Sequence, residues 1–496
     1  MNNIHRLYGH SLALLTDLYQ LTMAYGYWRR GDAVGDATFH LFFREAPFRG
    51  GYAVCAGLQT VLEILEKFRF TPDDCRYLSE ITGNDGRPLF EPAFLEALGQ
   101  LRLDCDIDAI PEGTVVFPNE PLLRVTGPLL QCQILETLLL NIMNFQTLIA
   151  TKSARICGVA GDGVLEFGLR RAQGIDGGLS AARAAYIGGC AATSNVLAGK
   201  LYGIPVRGTH AHSWVMSFDD ELEAFVNYAE ALPNNCVFLV DTYDTLQGVH
   251  KAAEVGKQLR QRGHEMVGIR LDSGDLAYLS IEARRILDQH GFPDAVIVAS
   301  NDLDETTIES LLYQGAKINV WGVGTKLATA FDQPALGGVY KLSALRTGGG
   351  DWQPKIKLSE QRIKTTIPGR QQVRRFHNDE RLVADMIYDE QLGVSEPPTV
   401  IDPNDPLRRM TPSTDCHHED LLVPVVRGGG IVYETPGLET VRRRALEQVA
   451  RLHASTRRLL NPHPYPVGLE RQLNTMRDTM IAKHRHGSSS ASPADE

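Results

Sequence analysis

From about residue 164 to residue 343, short β-branched apolar runs alternate with longer stretches whose apolar residues recur every three to four positions. The runs predict strands over 164–169, 204–209, 236–242, 266–272, 295–300, 317–324 and 337–342. The stretches between them predict helices, the first over 180–203. Ser217 and Asp220 have the spacing of a capping box opening a helix over 217–231. Asp244 is placed to cap the next helix, and Asp302 or Asp304 the one that ends near Gly315. Near-continuous apolar strands separated by helices predict a parallel sheet covered on its faces. An open doubly wound sheet and a closed barrel share that signature. Seven units without a break, with polar residues after almost every strand, favour an irregular (β/α) barrel whose C-terminal rim carries the site.

The flanks have a different texture. Residues 1–150 mix helices (14–28, 57–68, 91–102, 131–150) with strand-like pieces (36–43, 114–117, 121–126). A long helix over 129–158 joins them to the barrel. Residues 344–440 carry short strands and turns, followed by a helix over 438–460. The expected organisation is an N-terminal α/β domain at 1–150, a barrel domain at 151–345, a C-terminal region at 346–480 and a disordered tail at 481–496.

Composition narrows the partners. With 496 residues, 43% hydrophobic and 22% charged, the chain can bury a large core. A formal net charge of −10 gives no general field for nucleic acid, so an anionic ligand needs local arginines and backbone donors. The eight cysteines are scattered, with no C-x-x-C pair. That predicts reduced thiols and a cytoplasmic protein. No apolar run approaches the roughly 20 residues of a membrane helix, and the first 20 residues do not read as a signal peptide.

Four stretches could carry chemistry. The first is GTHAHS at 208–213, where His210 and His212 share one face if the strand extends this far. The pair could be hydrogen-bonded rim histidines, zinc ligands, or a nucleophile that carries a phosphoryl group. His250, His264 and His290 fall within or at the ends of predicted helices, which weakens the zinc reading, although Asp241 or Asp272 could contribute a ligand. The second is IRLDSGDL at 269–276. Arg270 suits a carboxylate or phosphate, the turn at Ser273 offers backbone donors, and Asp272 or Asp275 could hold Mg²⁺ or ribose hydroxyls. The third is VWGVGTKLATA at 320–330, where Gly322, Gly324 and Thr325 let the backbone approach a phosphate. It has neither P-loop nor dinucleotide-fingerprint spacing. The fourth, EFGLRRAQGIDGG at 166–178, sets Arg170 and Arg171 before a glycine-rich turn. Together these fit a phosphorylated substrate and phosphoryl or phosphoribosyl chemistry.

Several long stretches also resemble the nicotinate phosphoribosyltransferase family, in the family's order. They are LLTDLYQLTMAYGYW (14–28), EFGLRRAQGIDGGLSAARAAYIGG (166–189), TSNVLAGKLYGIPVRGTHAHSWV (193–215), IRLDSGDL and VWGVGTKLATAFDQPALGGVYKL (320–342), with EDLLVPVVRGG at 419–429. The resemblance implies a type II phosphoribosyltransferase fold and a homodimer with residues shared across the interface. It implies formation of nicotinate mononucleotide and pyrophosphate from nicotinate and phosphoribosyl pyrophosphate. ATP hydrolysis is then coupled through a phosphorylated histidine, with Mg²⁺ present. The pattern G-T-x-A-H-S puts that histidine at His212 and a nicotinate contact at Thr209. Tyr19 and Arg270 fall at nicotinate, Thr325 at phosphoribosyl pyrophosphate, and Arg170 in the same site by position. His210 fills the variable position, where it suits a carboxylate better than an amide. A nicotinamide-specific relative is the first alternative, and a metal-dependent barrel hydrolase using the H-x-H pair the second.

Overall fold

The computed structural model describes residues 8–31, 35–359 and 365–487. They form two compact units, one of residues 149–334 and one that combines residues up to 148 with those from 335 onward.

The 149–334 unit is built on a six-stranded parallel sheet. Its strands are β1 (Val164–Glu166), β2 (Ala192–Thr193), β3 (Val237–Leu239), β4 (Gly268–Leu271), β5 (Val296–Ala299) and β6 (Val320–Val323). They lie in the order β2-β1-β6-β5-β4-β3. Ile269, Leu271, Ile297, Ala299, Trp321 and Val323 are all buried, as strands covered by helices require. The helices start where local chemistry directs. The Asp244 side chain accepts from the Gln247 N–H, and Asp304 from the Thr307 N–H. Gly263 and Gly315 follow the helix ends at φ 82° and 81°, a left-handed conformation that suits glycine. Asp220 precedes the helix Glu221–Ala231 without a side-chain cap, so the box expected from Ser217 and Asp220 does not form.

Two of the seven expected strands are not strands of this sheet. Residues 204–209 make a single bridge, Val206 to Thr193, because Pro205 has no N–H to donate. No backbone ladder joins β2 to β3 among the described residues, so the closed barrel expected from the sequence is not formed by strand pairing. The 204–210 segment spans that gap. It is tied to β2 by the Val206 bridge and to β3 by His210 Nε2, which accepts the Leu239 N–H at 3.2 Å. The seventh run is longer than expected, Val339–Arg346, and belongs to the other unit, where it pairs antiparallel with Asp36–Phe42.

That pairing explains why the two flanks form one unit instead of separate domains. A seven-stranded sheet takes strands from both ends of the chain: Gln353–Pro354, Val339–Arg346, Asp36–Phe42, Leu123–Pro128, Asp106–Ala109, Val423–Arg427 and Gly430–Ile431, in that order. A second sheet of six strands is formed within residues 371–469. The unit boundary at 148/149 falls inside the helix Glu136–Ala160. Of the tail expected to be disordered, residues through Gly487 continue the helix Arg471–Gly487, and 488–496 lie outside the described residues. No helix among the described residues is long and apolar enough to cross a membrane.

Candidate active site

A cavity of about 480 Å³ opens at the carboxyl ends of the parallel strands. Arg170, Thr209, His212, Arg270, Asp272, Gly324 and Thr325 all line it, drawn from four separate strand–helix connections. Ser273 lies just behind this lining, and Tyr19 is outside it, half exposed on the helix Leu18–Arg30 of the other unit.

His212 is not on a strand. Residues 208–211 are irregular, and His212 opens the short helix His212–Met216. The two histidines therefore do not share a face. His210 is 8% exposed, and both its ring nitrogens are committed. Nε2 accepts from Leu239, so Nδ1 carries the proton, 3.4 Å from the Ala211 carbonyl. Burial pulls its pKa down to about 4, with Arg270 and His212 adding to the effect. A neutral ring without a spare lone pair is neither a metal ligand nor a cation for a carboxylate, which corrects two readings of the H-x-H pair. Among the described residues no group of three His, Cys, Asp or Glu side chains converges as a metal site.

His212 is 38% exposed and faces the cavity. Its Nδ1 lies 3.1 Å from Thr242 Oγ1. Its Nε2 looks toward two carboxylates, Asp272 Oδ2 at 3.7 Å and Asp241 Oδ1 at 4.0 Å. Asp241 is the fully buried partner and is pinned from behind. Its Oδ2 accepts from the Asp272 N–H at 2.8 Å and from Ser273 Oγ at 2.6 Å. Its Oδ1 is buried without a hydrogen bond, turned to the imidazole. Asp272 also accepts a short hydrogen bond from Ser300 Oγ.

Arg270 sits across the cavity and donates a short hydrogen bond to Thr209 Oγ1. Its Nε is buried with no acceptor. Burial lowers the guanidinium pKa, Asp272 and Asp241 resist, and the nearby Arg170 charge reinforces the drop. A cation this poorly served is completed by an anion.

Four further residues shape the cavity, of which the sequence offered Asp302 as a helix cap. Phe167 presents a buried ring, and a Cβ on Gly322 would come within 2.7 Å of it. Glu166 holds that turn, accepting from the Gly168 N–H and, at 2.6 Å, from Thr193 Oγ1. Asn301 and Asp302 line the cavity at φ 92° and 43°, adjacent non-glycine residues in the left-handed region. Asn and Asp tolerate that region best, and both stand at the polar end of an apolar run.

The fold and cavity thus define an α/β protein with an arginine- and glycine-lined cavity at the carboxyl edge of a parallel sheet. The comparisons narrow the class. The model of the nicotinate phosphoribosyltransferase family matches residues 163–383, its N-terminal domain model 14–144 and its C-terminal domain model 370–477. The chain is 47% identical to the nicotinate phosphoribosyltransferase of Bacillus subtilis (strain 168), over 92% of this chain and 93% of that one. It is 38% identical to the Caenorhabditis elegans enzyme of the same name, over 93% and 92%. The crystal structure of human nicotinic acid phosphoribosyltransferase superposes with a TM-score of 0.80 at 34% identity, covering 94% of this chain and 99% of that one. The chain belongs to the nicotinate phosphoribosyltransferase family and is an enzyme.

Proposed function

We propose that the protein joins nicotinate to phosphoribosyl pyrophosphate, giving nicotinate mononucleotide and pyrophosphate, with ATP hydrolysis coupled through phosphorylation of His212. The observation that carries this reading is one cavity holding an under-satisfied Arg270 with Arg170 nearby, glycine-edged loops and an accessible imidazole backed by buried acid.

Arg270 with Thr209 offers a fork and a hydroxyl to the nicotinate carboxylate, and the Phe167 ring offers a face to the pyridine. Arg170 and the backbone at Gly322–Thr325 suit the phosphates. The pyridine nitrogen attacks the anomeric carbon as pyrophosphate leaves, so the protein must mainly align two ligands and stabilise departing charge. Asp272 and Asp302 are the carboxylates that would hold Mg²⁺ together with substrate phosphates. That arrangement suits Mg²⁺, which keeps few protein ligands, and when bound it would draw charge from the leaving group.

The carboxylates facing Nε2 favour a proton on that nitrogen, which leaves the Nδ1 lone pair as the nucleophile toward the ATP γ-phosphorus. The N–P bond forms as the bond to the bridging oxygen breaks, and ADP leaves with the electron pair. Asp241 and Asp272 then face the positive charge that develops on the ring. In this reading the enzyme is a homodimer with residues shared across its interface, and Tyr19 contacts nicotinate, as the family resemblance implies.

The test is product formation from nicotinate and phosphoribosyl pyrophosphate with Mg²⁺, with and without ATP, for wild type and His212→Ala. ATP-stimulated nicotinate mononucleotide formation that loses its stimulation in the variant is expected. Product from nicotinamide and not from nicotinate would overturn the substrate, and equal stimulation in His212→Ala would overturn the phosphohistidine.

A further inference from the structure

Asp241 and Thr242 are consecutive residues just beyond β3, and they flank the imidazole of His212 from opposite sides. Asp241 faces Nε2, and Thr242 Oγ1 meets Nδ1 at 3.1 Å. Because Asp241 is locked by the Asp272 N–H and the Ser273 hydroxyl, the short link to Thr242 carries that rigidity to the hydroxyl. A threonine hydroxyl can donate or accept, so it adapts to either ring tautomer. With Nε2 protonated against the acids, it donates to the Nδ1 lone pair. Among the described residues it is thus the one protein group hydrogen-bonded to the atom that the preceding section assigns as nucleophile.

We propose that Thr242 is a positioning residue for phosphoryl transfer: it keeps Nδ1 of His212 unprotonated by donating to its lone pair, then releases that lone pair to the γ-phosphorus and turns its O–H to an oxygen of the phosphoryl group that Nδ1 accepts. The inference rests on the phosphohistidine reading and adds to it a residue and a ring nitrogen. The step needs no other reactant. The phosphoryl group moves from ATP to Nδ1, the Nε2 proton stays beside Asp241 and Asp272, and the threonine proton only changes acceptor. A hydroxyl is needed for this, so serine should replace threonine and valine should not.

The experiment follows label from [γ-³²P]ATP into acid-labile phosphohistidine for wild type, Thr242→Val, Thr242→Ser and His212→Ala. ¹⁵N-histidine NMR of the unphosphorylated proteins reads the His212 tautomer separately. Expected are labelling slowed by about tenfold in Thr242→Val, the size of one lost hydrogen bond, and recovered to within about threefold in Thr242→Ser. The Nε2–H tautomer should dominate in wild type and Thr242→Ser and become mixed in Thr242→Val. Circular dichroism matching wild type shows that Thr242→Val is folded, and the serine variant carries the test if it is not. Wild-type labelling rates in Thr242→Val, or a serine variant as slow as the valine one, would overturn the role of Thr242 alone. Absence of label on wild-type His212 would overturn the phosphohistidine and this role with it.

Discussion

Arg375 and Arg270 are arginines held away from water in different units of the chain, and their surroundings treat them in opposite ways. Arg375 is fully buried and fully answered. Asp385 receives its Nε and Nη2, Gln448 its Nη1 at 3.0 Å, and the Val115 carbonyl its Nη2 at 2.8 Å. Burial works against its charge, but Asp385 outweighs burial and holds the guanidinium above its ordinary range. Arg270 has one short bond to a threonine, a buried Nε with no acceptor, and a pKa lowered by burial. The first arrangement is complete without a ligand; the second is completed by one. Satisfaction of a buried charge, more than its presence, separates scaffold from site.

The sharpest way to break this comparison is to remove each arginine. Arg375→Ala leaves Asp385 buried beside Glu120, whose own carboxyl burial and Asp385 already push far above its usual range. The expected cost is about 3–5 kcal/mol of stability, read by denaturant unfolding, with near-normal turnover in whatever fraction stays folded. Arg270→Lys should do the reverse. It keeps the charge and loses the fork, so kcat/KM for nicotinate should fall by about 100-fold or more while the unfolding midpoint holds. If Arg270→Lys destabilised the fold as much as Arg375→Ala, the division between scaffold and site charges would be wrong.

A smaller effect is expected at Gly322. Its missing Cβ leaves room for the Phe167 ring, which lies 2.7 Å from where that carbon would be. Gly322→Ala must push the ring toward the cavity. KM for nicotinate should rise roughly tenfold with little change in thermal midpoint. An unchanged KM would remove Phe167 from the substrate's surroundings.

These residues also mark what a linear reading can and cannot reach. Thr209, His212, Arg270 and Thr325 were legible because each sits where an apolar run gives way to polar and glycine residues, and such junctions collect on one edge of a parallel sheet. Phe167 and Asp241 were harder. An aromatic next to a strand reads as core, and Asp241, legible as a polar residue at a strand end and a candidate metal ligand, shows its place behind His212 only through contacts with Asp272, Ser273 and His212. The run at 337–342 misled for a different reason. Its apolar character fits either kind of sheet, and its antiparallel partner at Asp36–Phe42 lies some three hundred residues away, where no local pattern reaches. The helix Arg471–Gly487 was missed because it is mostly polar, with Leu473 its fully buried anchor.

The smallest effect concerns His210, which belongs to the scaffold although it lines the site. Its folded pKa is lowered to about 4, below the roughly 6.5 of an unfolded chain. The native state therefore prefers the neutral ring. Its contribution is fully present above about pH 6.5 and is lost as pH falls toward 4, because the unfolded chain takes up the proton first. Protonation would also remove the lone pair that accepts the Leu239 N–H and ties the 204–210 segment to β3. His210→Gln keeps an acceptor that does not titrate. Its stability should match wild type less closely at pH 7, where shape is imperfect, yet fall less steeply between pH 6.5 and 4. Parallel slopes for the two proteins in urea titrations across that window would mean that the ring is not held neutral, and that His210 belongs with His212 among the groups that face the ligand.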